Sequence, residues 1–382
     1  MGWQVAKRGE DPSEDRRNAC RQDHGEITAR KDCIWDITAH ARGEKHRASG
    51  PVYQLAGHNK SMPLPGVAQS LHFQSCWSDR MRRWILIAIF SVLSGSAALL
   101  LAALAVGELL AGAAPTAVST LLLDVDFPVE QVHIPTHGNS REDETAGVRG
   151  WLTRGRRGGG TVLLVHSIRS NRVEMLSRAR FLNDRGYSVL LIDLQAHGET
   201  PGNRITFGVR EAEDVQSAVA YLRNAFPGER IGAIGVSLGA AAIVLAKTPL
   251  RLDAVVLESL HPTIEEAVEN RLKLHLGQAG PVLAPLLLWQ LSYRLGAPAR
   301  ELNPIDHIGN LNAPVLLISG SDDQHTRVDE AQRLFAAARQ PKELWIVPGG
   351  GHFNMHAYTG REYEHRVSAF LDRNLRERNL VP

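Results

Sequence analysis

One stretch without a charged side chain constrains this chain more than any other feature. It covers 24 residues, 84–107, and consists of apolar residues with a few serines and glycines. A helix that crosses a membrane needs about 20 apolar residues, whereas the apolar core of a secretory signal usually has roughly 7–15. The length of the stretch therefore predicts one membrane anchor helix within residues 81–112.

Arginines flank this stretch on one side only. Arg80, Arg82 and Arg83 precede it, and no lysine or arginine follows before Arg141. Because positive residues favour the cytoplasmic side of a membrane, we expect a cytoplasmic N-terminus and everything after the helix outside the cytoplasm. The alternative is release of that part by cleavage at the A-x-A-like residues 111–113.

Residues 1–80 have a different character from the rest of the chain. Apolar residues are scattered among charges there, which predicts a mostly disordered extension. Two cysteines and two histidines could be considered as zinc ligands: Cys20, His24, Cys33 and His40. Their spacing matches no common zinc site, so no metal is expected. An alternative is that translation begins at Met81.

The overall charge excludes one class of partner. The chain has 43 basic and 41 acidic residues, a formal net charge of +2. This balance does not provide the basic surface that nucleic-acid binding requires, so no nucleic-acid partner is expected.

The third segment alternates short apolar runs with amphipathic helical patterns. Six runs rich in β-branched residues are candidate buried strands: 161–165, 188–192, 231–234, 254–257, 314–318 and 344–347. Such alternation predicts a mostly parallel, twisted sheet with helices on both faces. Residues 129–134 and 148–152 are expected to form an antiparallel hairpin at the sheet edge. We predict one α/β domain over residues 115–382.

A serine between two glycines stands at the end of one of these strands. The sequence is Gly235-x-Ser237-x-Gly239, and an alanine-rich helix former follows at once. In a strand–turn–helix context this motif holds a strained turn that exposes the serine at the top of the sheet. The helix N-terminus beside it stabilises negative charge. Ser237 is therefore the candidate nucleophile.

A nucleophilic serine needs a base, and the base needs an acid that orients it. His352 lies in a glycine-rich loop after the last predicted strand, and Asp323 follows the strand before it. The order serine, acid, histidine fits this kind of site. We prefer Asp323 because such loops usually present their carboxylate at this position. Asp322 is the near alternative and Glu258 a more distant one.

With these motifs, residues 127–378 resemble the α/β-hydrolase superfamily in its serine esterase, lipase and peptidase branch. The apolar strand that ends in His166-Ser167 resembles the family's strand ending in His-Gly. Residues 193–200 resemble its Asp-x-Arg-x-His-Gly-x-Ser loop. The resemblance implies an α/β-hydrolase fold and the following roles: nucleophile Ser237, acid Asp323, base His352, and oxyanion-hole amides Ile168 and Leu238.

Two residues depart from the family pattern. Ser167 replaces a glycine in the oxyanion loop, and Gln195 replaces an arginine. A side chain at position 167 strains or reshapes that loop if the backbone there needs a positive φ. Losing one oxyanion donor typically costs about 10²–10³ in rate. His166 is expected to support the loop rather than to act in catalysis.

An insertion rich in leucine, residues 262–302, interrupts the alternation. Pro281 and Pro285 are expected to break it into short helices. It caps the active site, or it is a helical excursion packed on the sheet. A third possibility is a cap near the membrane that admits lipid-like substrates.

Together these features predict a membrane-anchored serine hydrolase that cleaves an acyl ester through an acyl-enzyme. Its expected partners are a small-molecule or lipid-like acyl substrate and the membrane, through residues 84–107. No cofactor and no metal are implied. One alternative is a membrane-anchored binding or scaffolding protein that keeps the fold without catalysis. Another is a peptidase or acyltransferase with the same three residues, because fold does not determine function.

Overall fold

The structure is a computed structural model, and it describes residues 68–118, 127–136, 147–296 and 298–376. Residues His72–Pro382 belong to one compact unit. Most of the predicted disordered extension, residues 1–67, and the four zinc-ligand candidates lie outside the described residues.

The long N-terminal helix α1 spans Ala68–Ala111, which is 44 residues. It begins before Met81, where the predicted anchor starts, because no glycine or proline interrupts the sequence between Gly66 and Gly95. The part Ser78–Ala111 has 34 residues and a mean hydropathy of 2.4. Among the described residues it is the one helix long and apolar enough to cross a membrane. Most of its large apolar side chains are exposed.

Ten strands are described. They are β1 (Ala114–Pro115), β2 (Glu130–Ile134), β3 (Val148–Thr153), β4 (Thr161–Val165), β5 (Ser188–Ile192), β6 (His197–Gly198), β7 (Ile231–Val236), β8 (Ala254–Glu258), β9 (Val315–Gly320) and β10 (Lys342–Val347). Eight of them form the central sheet, in the order β10-β9-β8-β7-β4-β5-β3-β2. The short strands β1 and β6 pair separately and in parallel.

The direction of the strands agrees with the predicted sheet. The edge hairpin β2–β3 is antiparallel, as predicted, and β3 is antiparallel to β5. The other neighbouring strands of the central sheet, in the order β5, β4, β7, β8, β9 and β10, pair in parallel. The sheet is therefore mostly parallel, with an antiparallel edge.

Nine further α-helices complete the described part of the fold. They are α2 (Leu176–Asp184), α3 (Glu211–Ala225), α4 (Leu238–Val244), α5 (Ile264–Leu276), α6 (Ala284–Leu295), α7 (Pro304–His307), α8 (Val328–Ala337), α9 (Met355–Thr359) and α10 (Arg361–Leu375). The insertion contains α5 and α6, joined by a 3₁₀ helix at Gly277–Leu283. Pro281 lies inside this 3₁₀ helix and Pro285 in the first turn of α6, so both interrupt the helical run as expected.

The central strands are buried on both faces, which explains their continuous apolar sequence. Leu163 and Val165 of β4 belong to the core on the side of α3 and α4. Val162 and Leu164 belong to the core on the side of α2 and α10. Successive side chains of a strand point to opposite faces, so one short apolar run serves both cores. The predicted mostly parallel sheet with helices on both faces is confirmed.

The strand order places a crevice at one edge of the sheet. The strand β5 lies on one side of β4 and β7 lies on the other, so the direction in which the sheet grows reverses at β4. In open parallel sheets, ligands bind outside the carboxyl ends of the strands at such a point. The loops that follow β4 and β7 carry Ile168 and Ser237, respectively.

Candidate active site

Ser237 occupies a strained turn between β7 and α4. Its backbone has φ 49° and ψ −105°, in the left-handed half of conformational space that residues with a side chain rarely adopt. Its backbone N–H donates to the carbonyl of Glu258 at 2.9 Å, and the residue is almost fully buried. Because such strain persists only where the surrounding structure maintains it, this turn is a candidate functional site.

The two glycines around Ser237 are required by close backbone contacts. A Cβ at Gly239 would lie 2.4 Å from the carbonyl oxygen of Val165 on β4. A Cβ at Gly235 would lie 2.6 Å from the backbone nitrogen of Ala240. Side chains at these positions would therefore push the turn away from both the neighbouring strand and its own helix.

Asp323 and His352 are joined by a hydrogen bond of 2.9 Å between Oδ2 and Nδ1. The buried carboxylate also accepts from the backbone of His325 at 2.8 Å and from the hydroxyl of Thr326 at 2.7 Å. Burial alone raises the pKa of Asp323, but His352 and the Thr326 donors outweigh burial and hold the pKa at about 2. The carboxylate is ionised at neutral pH and can only accept, so Nδ1 donates to it and leaves Nε2 facing away.

The two alternative acids have other partners. The carboxylate of Asp322 is exposed and accepts from the hydroxyl of Ser321 at 2.8 Å. Glu258 is fully buried and forms an ion pair with Arg178, whose Nη2 lies 2.6 Å from Oε2. It also accepts from the hydroxyl of Tyr363. Neither carboxylate contacts His352, so of the three acids Asp323 has the geometry that orients the histidine.

Ser237 Oγ makes no hydrogen bond to His352 in this structure. Catalytic hydrogen bonds in enzymes without a bound substrate are often long or poorly aligned and shorten when substrate binds. Ser237 thus lies at the same carboxyl-terminal edge of the sheet as the pair Asp323–His352, but it is not hydrogen-bonded to that pair.

Two backbone N–H groups of the candidate oxyanion hole have no acceptor among the described residues. They belong to Leu238, the first residue of α4, and to Ile168, in the loop after β4. Both residues line the cavity that Ser237 also lines. Two free amide donors beside a serine are the groups that stabilise an oxyanion in acyl transfer.

Both departures from the family pattern have specific contacts. The backbone N–H and the hydroxyl of Ser167 donate to Glu174 Oε2 at 2.9 and 2.8 Å. The positive φ in this loop, 57°, falls on Arg169 instead of Ser167, so the serine side chain causes no backbone strain there. Gln195 Nε2 donates to the carbonyl of Arg204 at 2.7 Å and to Glu211 at 2.8 Å.

His166 supports the loop through both ring nitrogens. Nε2 accepts from the backbone N–H of Leu194 at 3.0 Å, and Nδ1 lies 2.6 Å from the carbonyl oxygen of Ser167. Burial lowers the pKa of His166 to about 4, so the ring is neutral at neutral pH. A neutral ring with Nδ1 as donor and Nε2 as acceptor satisfies both contacts.

A cavity of about 350 Å³ opens beside Ser237, and its walls are mainly apolar. Its volume lies at the lower end of the range of about 300–1,000 Å³ that small-molecule sites occupy. Residues from α5 and α6 of the insertion form much of its wall: Ile264, Ala267, Val268, Arg271, Leu272, His275, Leu276, Leu287 and Leu291. Among the residues that the structure describes, no group of three His, Cys, Asp or Glu side chains could hold a metal.

His261 and Arg271 also line this cavity, although the sequence motifs did not indicate either residue. His261 follows β8 at the edge where Ser237 and Asp323 also lie, and this position was the available signal. Its Nε2 is buried without a hydrogen-bond partner among the described residues. Burial first, and then the charges of Arg271 and His352, lower the pKa of His261 to about 3.

This buried histidine leads to a prediction about pH-dependent stability. A histidine of the unfolded chain takes up a proton near pH ~6.5, whereas folded His261 does so only near pH 3. Between these two pH values the unfolded chain carries a proton on His261 and the folded chain does not. The contribution of His261 to the free energy of unfolding therefore falls as the pH falls. We expect His261→Leu to make the slope of this free energy against pH shallower by up to about 1.4 kcal/mol per pH unit.

Urea titrations of both proteins at pH values between about 4 and about 6 measure this slope, and titrations above about pH 7 are the internal control. Above that pH the slopes of wild type and variant should coincide. Equal slopes in the acidic window would contradict the assignment of His261 as a buried neutral ring.

Comparison with known proteins places the chain in a family. The model of the α/β hydrolase family matches residues 162–364, which is more than half of the chain. This chain belongs to the α/β hydrolase family. The match runs from β4 into α10 and includes Ser237, Asp323 and His352.

Two relatives and one solved structure are similar to this chain. The uncharacterized protein YqkD of Bacillus subtilis is 28% identical over 216 residues, 56% of this chain and 71% of its own length. An uncharacterized protein of Mycobacterium tuberculosis is 31% identical over 210 residues, and the matching part is 65% of its length. The esterase Pf2001 of Pyrococcus furiosus has a TM-score of 0.54 and 25% identity, and the match covers 68% of this chain and 98% of the esterase. The family and this neighbour support hydrolase activity.

Proposed function

We propose that this α/β hydrolase is a membrane-anchored serine hydrolase that cleaves acyl esters with Ser237, Asp323 and His352. The observation that carries the proposal is the contact between Asp323 and His352 at the edge of the sheet where strained Ser237 faces a cavity. The esterase Pf2001, which shares the fold, supports an ester rather than another substrate bond.

In the proposed reaction, His352 Nε2 takes the proton of Ser237 Oγ as this oxygen bonds to the acyl carbonyl carbon. The carbon–oxygen bond to the alcohol then breaks, and the alcohol leaves with the proton that His352 held. Water repeats the sequence on the acyl-enzyme: His352 takes its proton, its oxygen bonds to the acyl carbon, and Ser237 leaves with the proton. One ester and one water give one acid and one alcohol.

The remaining groups stabilise charge during these steps. Asp323 holds the imidazole with Nδ1 protonated and stabilises the imidazolium that forms. The amides of Ile168 and Leu238 donate to the carbonyl oxygen as it becomes negative, and the N-terminus of α4 adds to this effect.

The segment after α1 supports an anchor that stays attached. Ala111 is fully buried, and its carbonyl accepts from the backbone of Ile205 at 2.8 Å. Ala114 donates to the carbonyl of Ala196 at 2.8 Å. Cleavage after residue 113 would leave Ala114 in place but would remove the buried contact that Ala111 makes with the hydrolase domain. With Arg80, Arg82 and Arg83 before the helix, this domain lies outside the cytoplasm.

One observation favours the alternative of a binding protein without catalysis, namely the missing hydrogen bond between Ser237 and His352. A turnover assay separates the two functions. We expect the full chain in detergent to release methylumbelliferone from methylumbelliferyl acetate at a steady rate well above that of the heat-denatured chain. A folded chain that releases none would contradict the hydrolase proposal and favour the binding protein.

A further inference from the structure

The membrane helix forms part of the active-site cavity. Val106, Gly107 and Leu110 of α1 line the same cavity as Ser237. They lie at the end of the charge-free stretch 84–107 and just beyond it, where a membrane-spanning segment leaves the apolar part of the bilayer. The cavity therefore lies beside the membrane surface when α1 spans the bilayer.

Hydrogen bonds attach α1 to the insertion at this level. Buried Gln290 of α6 donates to the carbonyl of Ala103 at 2.9 Å, and Arg294 donates to that of Leu104 at 2.7 Å. Arg294 also forms an ion pair with Glu108. Gln290 packs closely against Gly107, where a Cβ would lie 2.1 Å from its Oε1. These contacts hold α6 against the last turns of the membrane helix.

The outer surface of the insertion exposes large apolar and aromatic side chains. Trp289 is 68% exposed and Tyr293 is 93% exposed, and both belong to α6, which packs against α1. Val282, in the 3₁₀ helix before α6, is 80% exposed. Trp and Tyr are enriched where proteins meet the membrane–water interface. Trp289 and Tyr293 directly precede Gln290 and Arg294, the two residues of α6 that bond to the membrane helix, so a lipid surface is the occupant that fits them.

The interior of the cavity suits an acyl chain. Its lining is apolar apart from Ser237, His261, Arg271 and His275. A methylene group fills roughly the 30 Å³ that a water molecule takes up in the liquid. A cavity of about 350 Å³ therefore holds on the order of ten methylene groups. A short, water-soluble acyl group would leave most of this apolar wall without a contact.

We propose that the substrate is the acyl ester of a membrane lipid, whose chain occupies the cavity that α1 and the insertion line together. This proposal rests on the proposed function, because it uses Ser237 as the nucleophile. The chain lies along Val106 and Leu110 and brings the ester carbonyl to Ser237. The membrane helix is then a wall of the substrate site as well as an anchor.

The test compares two esters with the same leaving group on the full chain in phosphatidylcholine vesicles. Methylumbelliferyl palmitate stays in the bilayer, and methylumbelliferyl acetate is soluble. Leu110→Trp fills the cavity from the side of α1. One methylene in an apolar pocket is worth about 10–200-fold, so we expect the ratio of kcat/KM for palmitate to that for acetate to fall at least ~10-fold.

Leu101→Trp is the matched control, because Leu101 lies on the same helix, is exposed and does not line the cavity. It should keep the wild-type ratio. An unchanged ratio in Leu110→Trp, or an equal fall in both variants, would overturn the proposal. Failure of the wild type to hydrolyse either ester would refute the proposed function instead, so the two failures are distinguishable.

A second variant covers the case in which Leu110→Trp does not fold. Trp289→Ser combined with Tyr293→Ser changes only exposed side chains, so the fold should be retained. We expect this double variant to lower the palmitate-to-acetate ratio severalfold, because the insertion loses contact with the bilayer. A ratio equal to that of the wild type would contradict the membrane contact.

Discussion

Ser237→Ala should lower kcat for methylumbelliferyl acetate by roughly 10⁴- to 10⁶-fold, because no other group at the site can form the acyl-enzyme. Ser237 is the residue that combines a strained turn, a place on the cavity wall and a neighbouring free amide. The fold should be retained, because replacing a hydroxyl by hydrogen keeps Cβ and the conformation of the turn. Steady-state fluorescence of the released methylumbelliferone measures the loss.

Ser259→Ala is the matched control for this variant. Ser259 follows β8 as Ser237 follows β7, it is also buried, and its φ is also 49°. It does not line the cavity. Activity within about threefold of the wild type is expected for Ser259→Ala. Retained turnover in Ser237→Ala would show that another nucleophile acts.

Asp323→Asn should lower kcat by roughly 10⁴-fold. The amide nitrogen that replaces one carboxylate oxygen is a donor, which favours the His352 tautomer with Nδ1 as acceptor and the proton on Nε2. His352 could then no longer take the proton of Ser237. The KM for methylumbelliferyl acetate should change much less than kcat, because Asp323 does not line the cavity beside Ser237.

Asp322→Asn provides the comparison for this prediction. It makes the same chemical change one residue earlier, at an exposed carboxylate that contacts Ser321 instead of His352. Near-normal turnover in Asp322→Asn together with the loss in Asp323→Asn is the expected pattern. The reverse pattern would assign the acid role to Asp322 and refute the proposed arrangement.

Much of the fold could be predicted from the sequence, because its elements leave local signals. Each central strand is buried on both faces, so runs such as 161–165 and 188–192 are continuously apolar and coincide with β4 and β5. The sequence shows glycines at positions 235 and 239 because close backbone contacts leave no room for a side chain at either position. Local patterns of this kind predict strands, turns and their order.

Contacts between distant parts of the chain left no such signal. Gln290 and Ala103 are 187 residues apart, and nothing in either local sequence indicates their hydrogen bond. The wall that α1 contributes to the cavity depends on this packing. Likewise, the sequence alone leaves Glu258 as a candidate acid, because its buried partner Arg178 lies 80 residues away along the chain. The start of α1 at Ala68 differs from the predicted start because hydropathy marks the membrane-spanning part of a helix and not its full length.

The central claim is that Ser237 is the activated nucleophile of a serine hydrolase. Mass mapping of the full chain after reaction with a fluorophosphonate tests this claim most directly, because the probe bonds to a serine only where a base and an oxyanion site activate it. We predict a single phosphonate adduct on Ser237, absent from Ser237→Ala and strongly slowed in Asp323→Asn. A folded chain that forms no adduct, or forms it on another residue, would contradict the account.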